Sequence, residues 1–411
     1  MVGYAYRRVP FYRRALDERA LRPSDFQSAA DLARLPLIDS VQVRTNLGDF
    51  TPTDLDRLPH QTYSTSGTLA NAVKFIHWDH AALLNYLAHH ERDRVVLNAL
   101  AGAGDLQRQA FILTPGSPSE RLREFWVRHT LLPRNAGDRH LISMFAPFEE
   151  VRERLNRIRP QVVFSFGSFT DRFFRYLADR SLELASPRVW VYGGDGLSAT
   201  GAELMRRFGC IPYSTYQATE TGRIGFQCER LGGFHLNLDL VALRLVDPRG
   251  DSVCRGESGE VVVSSLTNRA TLLLNYRLND RATLATAACP CGRGLPLLER
   301  LEGRSTDVVQ LPDGREMSVP ALEVFLIKQV DATIQTQLVI QATDQLIWRV
   351  VPARGVNCEV LRLEFQQRCR AVLGDRVAVG VEFLDSIPPT PAGKVPKVVS
   401  TLDPTVAGVV R

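Results

Sequence analysis

Apolar and polar positions divide the chain into stretches of different texture. Residues 1 to 60 read as short helical pieces punctuated by Pro10, Pro23, Pro36 and Pro52, with Ser24 or Asp25 and Ser28 as caps. From about 60 to 230, apolar strands alternate with amphipathic helices. QAFILT (109 to 114) precedes a helix near 119 to 130, QVVFSF (161 to 166) one near 168 to 178, and RVWVYGG (188 to 194) one near 199 to 208. That alternation predicts an α/β layer with parallel strands. After Cys228 the period becomes two, in HLNLDLVALRLVD (235 to 247) and GEVVVSSL (258 to 265), which predicts an antiparallel β subdomain. From Gly303 come a hairpin around LPDG (311 to 314), a helix near 319 to 329, strands at 336 to 351, a helix near 359 to 373 and a strand at 376 to 384. Such a set closes its own small α+β domain. The expected fold class is α/β, with a large N-terminal domain over 1 to 302 and a small C-terminal domain over 303 to 411.

Composition removes several function classes. With 45% apolar and 23% charged residues the chain reads as an ordinary folded protein. No apolar run reaches the roughly 18 residues that span a bilayer, and the basic, aromatic MVGYAYRRVPFYRR lacks a signal core, so no membrane partner and a cytoplasmic location are expected. The net charge of +5 comes from arginines scattered among acidic residues, a solvated surface and not a nucleic-acid stripe. Seven cysteines point to reduced thiols or metal ligands in place of a disulfide framework. Of the 50 basic residues only Lys74, Lys328, Lys394 and Lys397 are lysine, so each lysine hints at a site that needs a compact ammonium.

Several segments carry chemistry. YSTSGTLANAVKF (63 to 75) places small hydroxylated residues around Gly67, where backbone N–H and side-chain O–H donors can meet phosphate oxygens, and no G-x-x-x-x-G-K-[ST] loop competes with it. YGGDGLS (192 to 198) follows an apolar strand and opens a helix, so its glycines permit close approach of a flat ligand at a strand end. TYQATETG (215 to 222) offers the Thr219 hydroxyl for a phosphate and the Glu220 carboxylate as a hard oxygen ligand for Mg²⁺. In NYRLND (275 to 280), Asp280 can accept from both ribose hydroxyls; GRSTDVV (303 to 309) and PPTPAGKVPK (388 to 397) complete the series.

In this order the segments resemble the signatures of adenylate-forming enzymes over nearly the whole chain. YRRVPFYRRAL, ACPCGRGLP (288 to 296) and the short length are similar to the phenylacetate-CoA ligase branch. The resemblance implies an AMP-binding N-terminal domain and a mobile C-terminal lid. It implies that Ser66, Gly67 and Thr68 hold the ATP phosphates, and that Gly193, Gly194, Asp195 and Gly196 flank the adenine and the acyl site. Tyr216 would stack on adenine, Thr219 touch the α-phosphate, Glu220 bind Mg²⁺, Asp280 hold the ribose, Arg304 sit at the hinge, and Lys394 bridge carboxylate and α-phosphate. The chain departs from the family at Leu69, Ala70 and Ala72 in the phosphate loop, at Gln217, and at Thr306 in the hinge.

The implied activity is ATP-dependent formation of an acyl-adenylate followed by transfer to a thiol, with coenzyme A as first-choice acceptor. An amine or a carrier-protein thiol is the alternative acceptor, and a non-catalytic descendant that binds a nucleotide or a partner is the alternative of another class, motivated by Leu69, Ala70 and Thr306. Phe164, Phe166, Phe169, Tyr192 and Tyr213 lie in segments that the resemblance places around the acyl pocket, which points to an apolar or aromatic carboxylic acid. Separately, Cys228-x6-His235 and Cys289-x-Cys291 make a Cys3His set suited to tetrahedral Zn²⁺. With all four positions filled by protein, that metal would be structural. The oligomeric state is open at this level.

Overall fold

The structure is a computed structural model that describes residues 1–66, 73–102, 108–113, 118–129, 138–185, 187–304, 308–310, 316–318, 333–352, 355–388 and 398–401. The chain opens with helices α1 (Val2–Arg8) and α2 (Pro10–Glu18), the second begun by a proline whose missing N–H costs nothing at a first helical position. In α3 (Ser40–Thr45), Asp39 caps the N-terminus by accepting from the N–H groups of Val41 and Gln42 at 2.9 and 2.8 Å. Farther upstream, the Ser28 N–H donates to the Asp31 carboxylate at 2.7 Å. These pieces are tied to the rest of the protein through Tyr12. Its hydroxyl is fully buried, donates to the Leu272 carbonyl at 3.1 Å and accepts from the Leu274 N–H at 2.7 Å.

Two strands, β1 (His60–Ser66) and β2 (Val73–Asp79), form an antiparallel pair. The long helix α4 (His80–Ala101) follows, capped by Asp79. Then come β3 (Arg108–Leu113), α5 (Pro118–His129), β4 (Asp138–Ser143), α6 (Phe148–Ile158), β5 (Val162–Phe166), α7 (Gly167–Asp179), β6 (Val189–Gly193), α8 (Ala199–Arg207) and β7 (Ile211–Ala218). All five strands are parallel, in the order β4-β3-β5-β6-β7. Helices cover both faces. On one side Phe169, Phe173, Phe174 and Trp190 form a solvent-free aromatic core, and on the other Val96 and Leu97 of α4 pack on Val162, Val189 and Val191.

The remaining strands of this region are β8 (Gly222–Phe226), β9 (Phe234–Leu236), β10 (Val241–Val246), β11 (Ser258–Ser265), β12 (Tyr276–Leu284) and β13 (Leu297–Arg304). They pair antiparallel, as the two-residue period predicts, but they do not stand apart. The β8 strand pairs with β7, so parallel and antiparallel halves make one 11-stranded sheet in the order β10-β11-β12-β13-β9-β8-β7-β6-β5-β3-β4. The run 235 to 247 is also two strands and not one. At the buried Asn237 the chain turns: its N–H donates to the Ile224 carbonyl at 2.9 Å, and its carbonyl accepts from the Leu240 and Val241 N–H groups. Alternation survives the turn, which is why it is invisible to periodicity.

Beyond this sheet, β14 (Val308–Gln310) pairs with β15 (Glu316–Ser318), the two arms of the hairpin expected around LPDG. A four-stranded sheet β18-β17-β16-β19 then combines β16 (Thr333–Ala342), β17 (Gln345–Pro352), β18 (Ala378–Phe383) and β19 (Val398–Ser400). Helix α9 (Cys358–Leu373) buries Leu361, Phe365 and Cys369 against Leu338, Trp348 and Val381, a separate hydrophobic core. Strand β13 continues to Arg304, past the cut expected after residue 302.

Candidate functional site

The segment TYQATETG becomes the end of β7, a tight turn and the start of β8. Ala218 pairs with Gly222, leaving Thr219, Glu220 and Thr221 at the tip. Gly222 has φ +81°, and a Cβ there would lie 2.7 Å from the Trp78 ring, so the turn needs glycine for both conformation and space. Trp78, from β2, donates its ring N–H to the Thr219 carbonyl at 2.8 Å. The β1–β2 pair is thereby held beside the turn. Ser66 ends β1, opposite Val73. Gly67 and Thr68 lie outside the described residues.

Asp280 reaches the same place from β12. Its carboxylate oxygen Oδ2 accepts a hydrogen bond from the buried Tyr216 hydroxyl at 2.8 Å. The Tyr276 hydroxyl donates to Glu220 at 3.5 Å. Four of the residues singled out in the sequence, Tyr216, Thr219, Glu220 and Asp280, therefore converge although they span two strands far apart in the chain. Arg304, the last residue of β13, is the register partner of Asp280. Lys394 and Thr306 lie outside the described residues.

The glycine-rich turn after β6 adjoins this cluster. Gly193 pairs with Phe166 and packs on Thr215, where an added Cβ would sit 2.8 Å from the hydroxyl oxygen. Gly194 has φ +79°. The Asp195 carboxylate accepts from the Ser168 N–H at 3.2 Å and from its hydroxyl at 2.5 Å, which binds the turn to the N-terminus of α7. Gly167 must be glycine for the same reason, since a Cβ there would overlap the Gly196 carbonyl.

Several residues with no local signature support the site. Tyr86 of α4 donates to the Gln217 side-chain oxygen at 2.7 Å, so that glutamine has a polar partner. Behind it, buried Arg223 pairs with buried Asp93, and Asp93 also accepts from the Tyr213 hydroxyl at 2.8 Å. A buried charge pair with a further donor offsets the large desolvation cost of its members. Nothing local in the sequence marks Asp93 and Arg223 as partners, since they lie on α4 and β8 and meet only in the folded chain.

The aromatic residues expected around an acyl pocket are dispersed. Phe169 lies in the core on the α7 side with Phe166 packed against it. Phe164 and Tyr213 face the α4 side, Phe164 stacked on Phe111 at 4.6 Å between ring centroids. Phe164 and Tyr213 come from strands β5 and β7, whereas Phe166 ends β5 as the N-cap of α7 and Phe169 lies on that helix, so nearness in sequence does not gather them.

The Cys3His set is assembled. The ligating atoms of Cys228, His235, Cys289 and Cys291 all lie within 4.8 Å of one another. Burial pushes the Cys228 thiol up to about 11. Burial also acts to raise Cys291, but the Arg293 N–H, the Arg293 side chain and the neighbouring thiols outweigh it and bring that thiol down to about 7.

No protein-family model matches the chain. It is 25% identical over 395 residues to the phenylacetate-coenzyme A ligase of Thermus thermophilus, covering 92% of this chain and 83% of that protein. To the phenylacetate-coenzyme A ligase of Escherichia coli K12 it is 23% identical over 327 residues, 74% of this chain and 69% of the relative. Among solved structures, 2-hydroxyisobutyryl-CoA ligase in its postadenylation state superposes with a TM-score of 0.75 at 19% identity, covering 98% of this chain and 87% of that one. The same ligase in its thioesterification state gives 0.59 at 19% identity, over 97% and 86% of the two chains. The fold is that of the adenylate-forming ligases. Along most of its length the sequence is similar to the phenylacetate-coenzyme A ligases in particular.

Proposed function

We propose that this protein activates a carboxylic acid with ATP and transfers the acyl group to a thiol, coenzyme A being the acceptor that its relatives favour. The observation that carries the reading is the convergence of Tyr216, Thr219, Glu220 and Asp280 at one turn beside the β1–β2 pair. In the first step the acid's carboxylate oxygen attacks the α-phosphorus of ATP and pyrophosphate leaves. In the second the thiol sulfur attacks the acyl carbon, AMP leaves with the bonding pair, and the thiol proton goes to solvent.

The chain's own residues supply position and charge, which dominate catalysis of phosphoryl transfer. Tyr216 offers its ring to the adenine, Asp280 its carboxylate to the ribose, and Thr219 its hydroxyl to the α-phosphate. Ser66, Gly67 and Thr68 hold the outer phosphates, and Lys394 comes in from the C-terminal region to bridge carboxylate and phosphate. Glu220 is a hard oxygen ligand at a half-exposed turn and fits Mg²⁺, which when bound would neutralise charge on the departing pyrophosphate. The domain boundary falls just after Arg304, where the strand ends, and the residues there serve as hinge for the small domain.

The acid is an aromatic or apolar one, supported by the similarity to phenylacetate-coenzyme A ligases. No helix among the described residues is long and apolar enough to cross a membrane. Acid-dependent exchange of labelled pyrophosphate into ATP, run over aryl, fatty and amino acids, tests the first step. Product analysis with coenzyme A, a carrier protein and amines tests the second. Absence of exchange with every acid, in protein that binds ATP, would leave a nucleotide-binding descendant instead.

A further inference from the structure

We infer that Cys228, His235, Cys289 and Cys291 hold one structural Zn²⁺ that clamps the two antiparallel strand pairs β8–β9 and β12–β13 together. The donor set is three sulfurs and one imidazole nitrogen, the soft and borderline ligands that favour zinc. Two of its separations are close to those of a tetrahedral site. Zn–S bonds of about 2.3 Å at tetrahedral angles put sulfurs about 3.8 Å apart. Cys228 Sγ and Cys289 Sγ stand 3.8 Å apart, and Cys291 Sγ lies 3.3 Å from His235 Nε2.

The surroundings are built for ligation. His235 is fully buried, and its other nitrogen, Nδ1, lies 3.4 Å from the Leu295 carbonyl, which aims Nε2 into the cluster. Gly292, at φ +81°, closes a turn in which its N–H donates to the Cys289 carbonyl at 3.2 Å. The Arg293 N–H then reaches Cys291 Sγ at 3.4 Å, as a thiolate requires. Three thiolates and Zn²⁺ leave one net negative charge, and the Arg293 guanidinium is adjacent. That guanidinium also grips Glu229, next to Cys228, through two bonds of 2.6 and 2.8 Å, joining the same two loops a second time. On binding, the three thiol protons pass to solvent.

The clamp has a structural consequence. His235 pairs with Leu297 at the start of β13, and β13 ends at Arg304 opposite Asp280. Metal at one end of β13 therefore helps to set the ladder that carries Asp280 at the other. The assignment does not depend on which reaction the protein performs.

The test uses the full chain purified without chelator. Elemental analysis should find about one zinc per chain, and replacement by Co²⁺ should give the intense visible bands of a tetrahedral thiolate site. Cys291→Ser should lose zinc to a chelator that leaves the parent loaded, and should lower the melting temperature. Cys254→Ser, an exposed thiol outside the cluster, should change neither. Substoichiometric zinc in the parent chain without tetrahedral Co²⁺ bands would overturn the assignment even if Cys291→Ser fails to fold. So would an intact mass two hydrogens short that maps to a Cys228–Cys289 disulfide.

Discussion

Asp280→Asn isolates the charge that the proposed nucleotide site depends on. The carboxylate accepts from the Tyr216 hydroxyl at 2.8 Å, and in the proposed complex it also accepts from two ribose hydroxyls. A hydrogen bond to an ionised group contributes about 1.5–3 kcal/mol and a neutral one about 0.5–1.5 kcal/mol, so neutralising the acceptor weakens each bond by about 1 kcal/mol. Two ribose bonds then cost about 2 kcal/mol, a rise of about 30-fold in the KM for ATP. The Tyr216 bond is weakened in the free protein as well, so stability should drop by about 1 kcal/mol. The comparison is Tyr216→Phe, which keeps the ring and removes only the phenol. It should share the stability loss while leaving the KM for ATP within about threefold, since the aromatic face is intact. Pyrophosphate exchange at varied ATP, with urea unfolding of each variant, measures both quantities. If Asp280→Asn lowered stability but left the KM for ATP at the parent value, the carboxylate would serve only to hold Tyr216, and its assignment to ribose would fail.

Three further expectations follow from other parts of the molecule. Lys394→Ala should depress pyrophosphate exchange by roughly two to three decades yet still convert a chemically supplied acyl-adenylate, because the second step forms no bond at phosphorus; equal loss in both would refute the division of labour. Gly167→Ala, at the first residue of α7, should destabilise by about 1–3 kcal/mol because the new methyl meets the Gly196 carbonyl, although alanine in a helix normally stabilises; a gain in urea would show that the two turns part freely. Arg223→Ala should cost about 3–5 kcal/mol by leaving Asp93 buried and uncompensated, whereas the double variant Asp93→Asn, Arg223→Met should recover most of it; a single-variant loss under about 1 kcal/mol would refute the burial argument.

What the sequence determined by itself was local. The parallel strands 108–113, 162–166 and 189–193 and the helices after them were legible because short apolar runs, each followed by a stretch of helical period, match the repeating strand–helix unit. Thr219, Glu220 and Asp280, and the Cys and His spacing, stood out as candidates because few side chains offer hard oxygen or soft sulfur. Three matters were left to the tertiary structure. Strand order was one: β9 and β10 lie close in sequence, yet β13 sits beside β9 and three strands separate β9 from β10, since pairing across a sheet leaves no trace in local period. The side to which each ring points was another, and it dispersed Phe164, Phe169 and Tyr213 between two faces. The last was convergence. Tyr216 meets Asp280, Trp78 meets Thr219, and Cys228 meets Cys289 only after β7, β8, β12 and β13 have taken their places, because contacts of such long sequence separation are specified by the packing of the whole sheet and by no short segment within it.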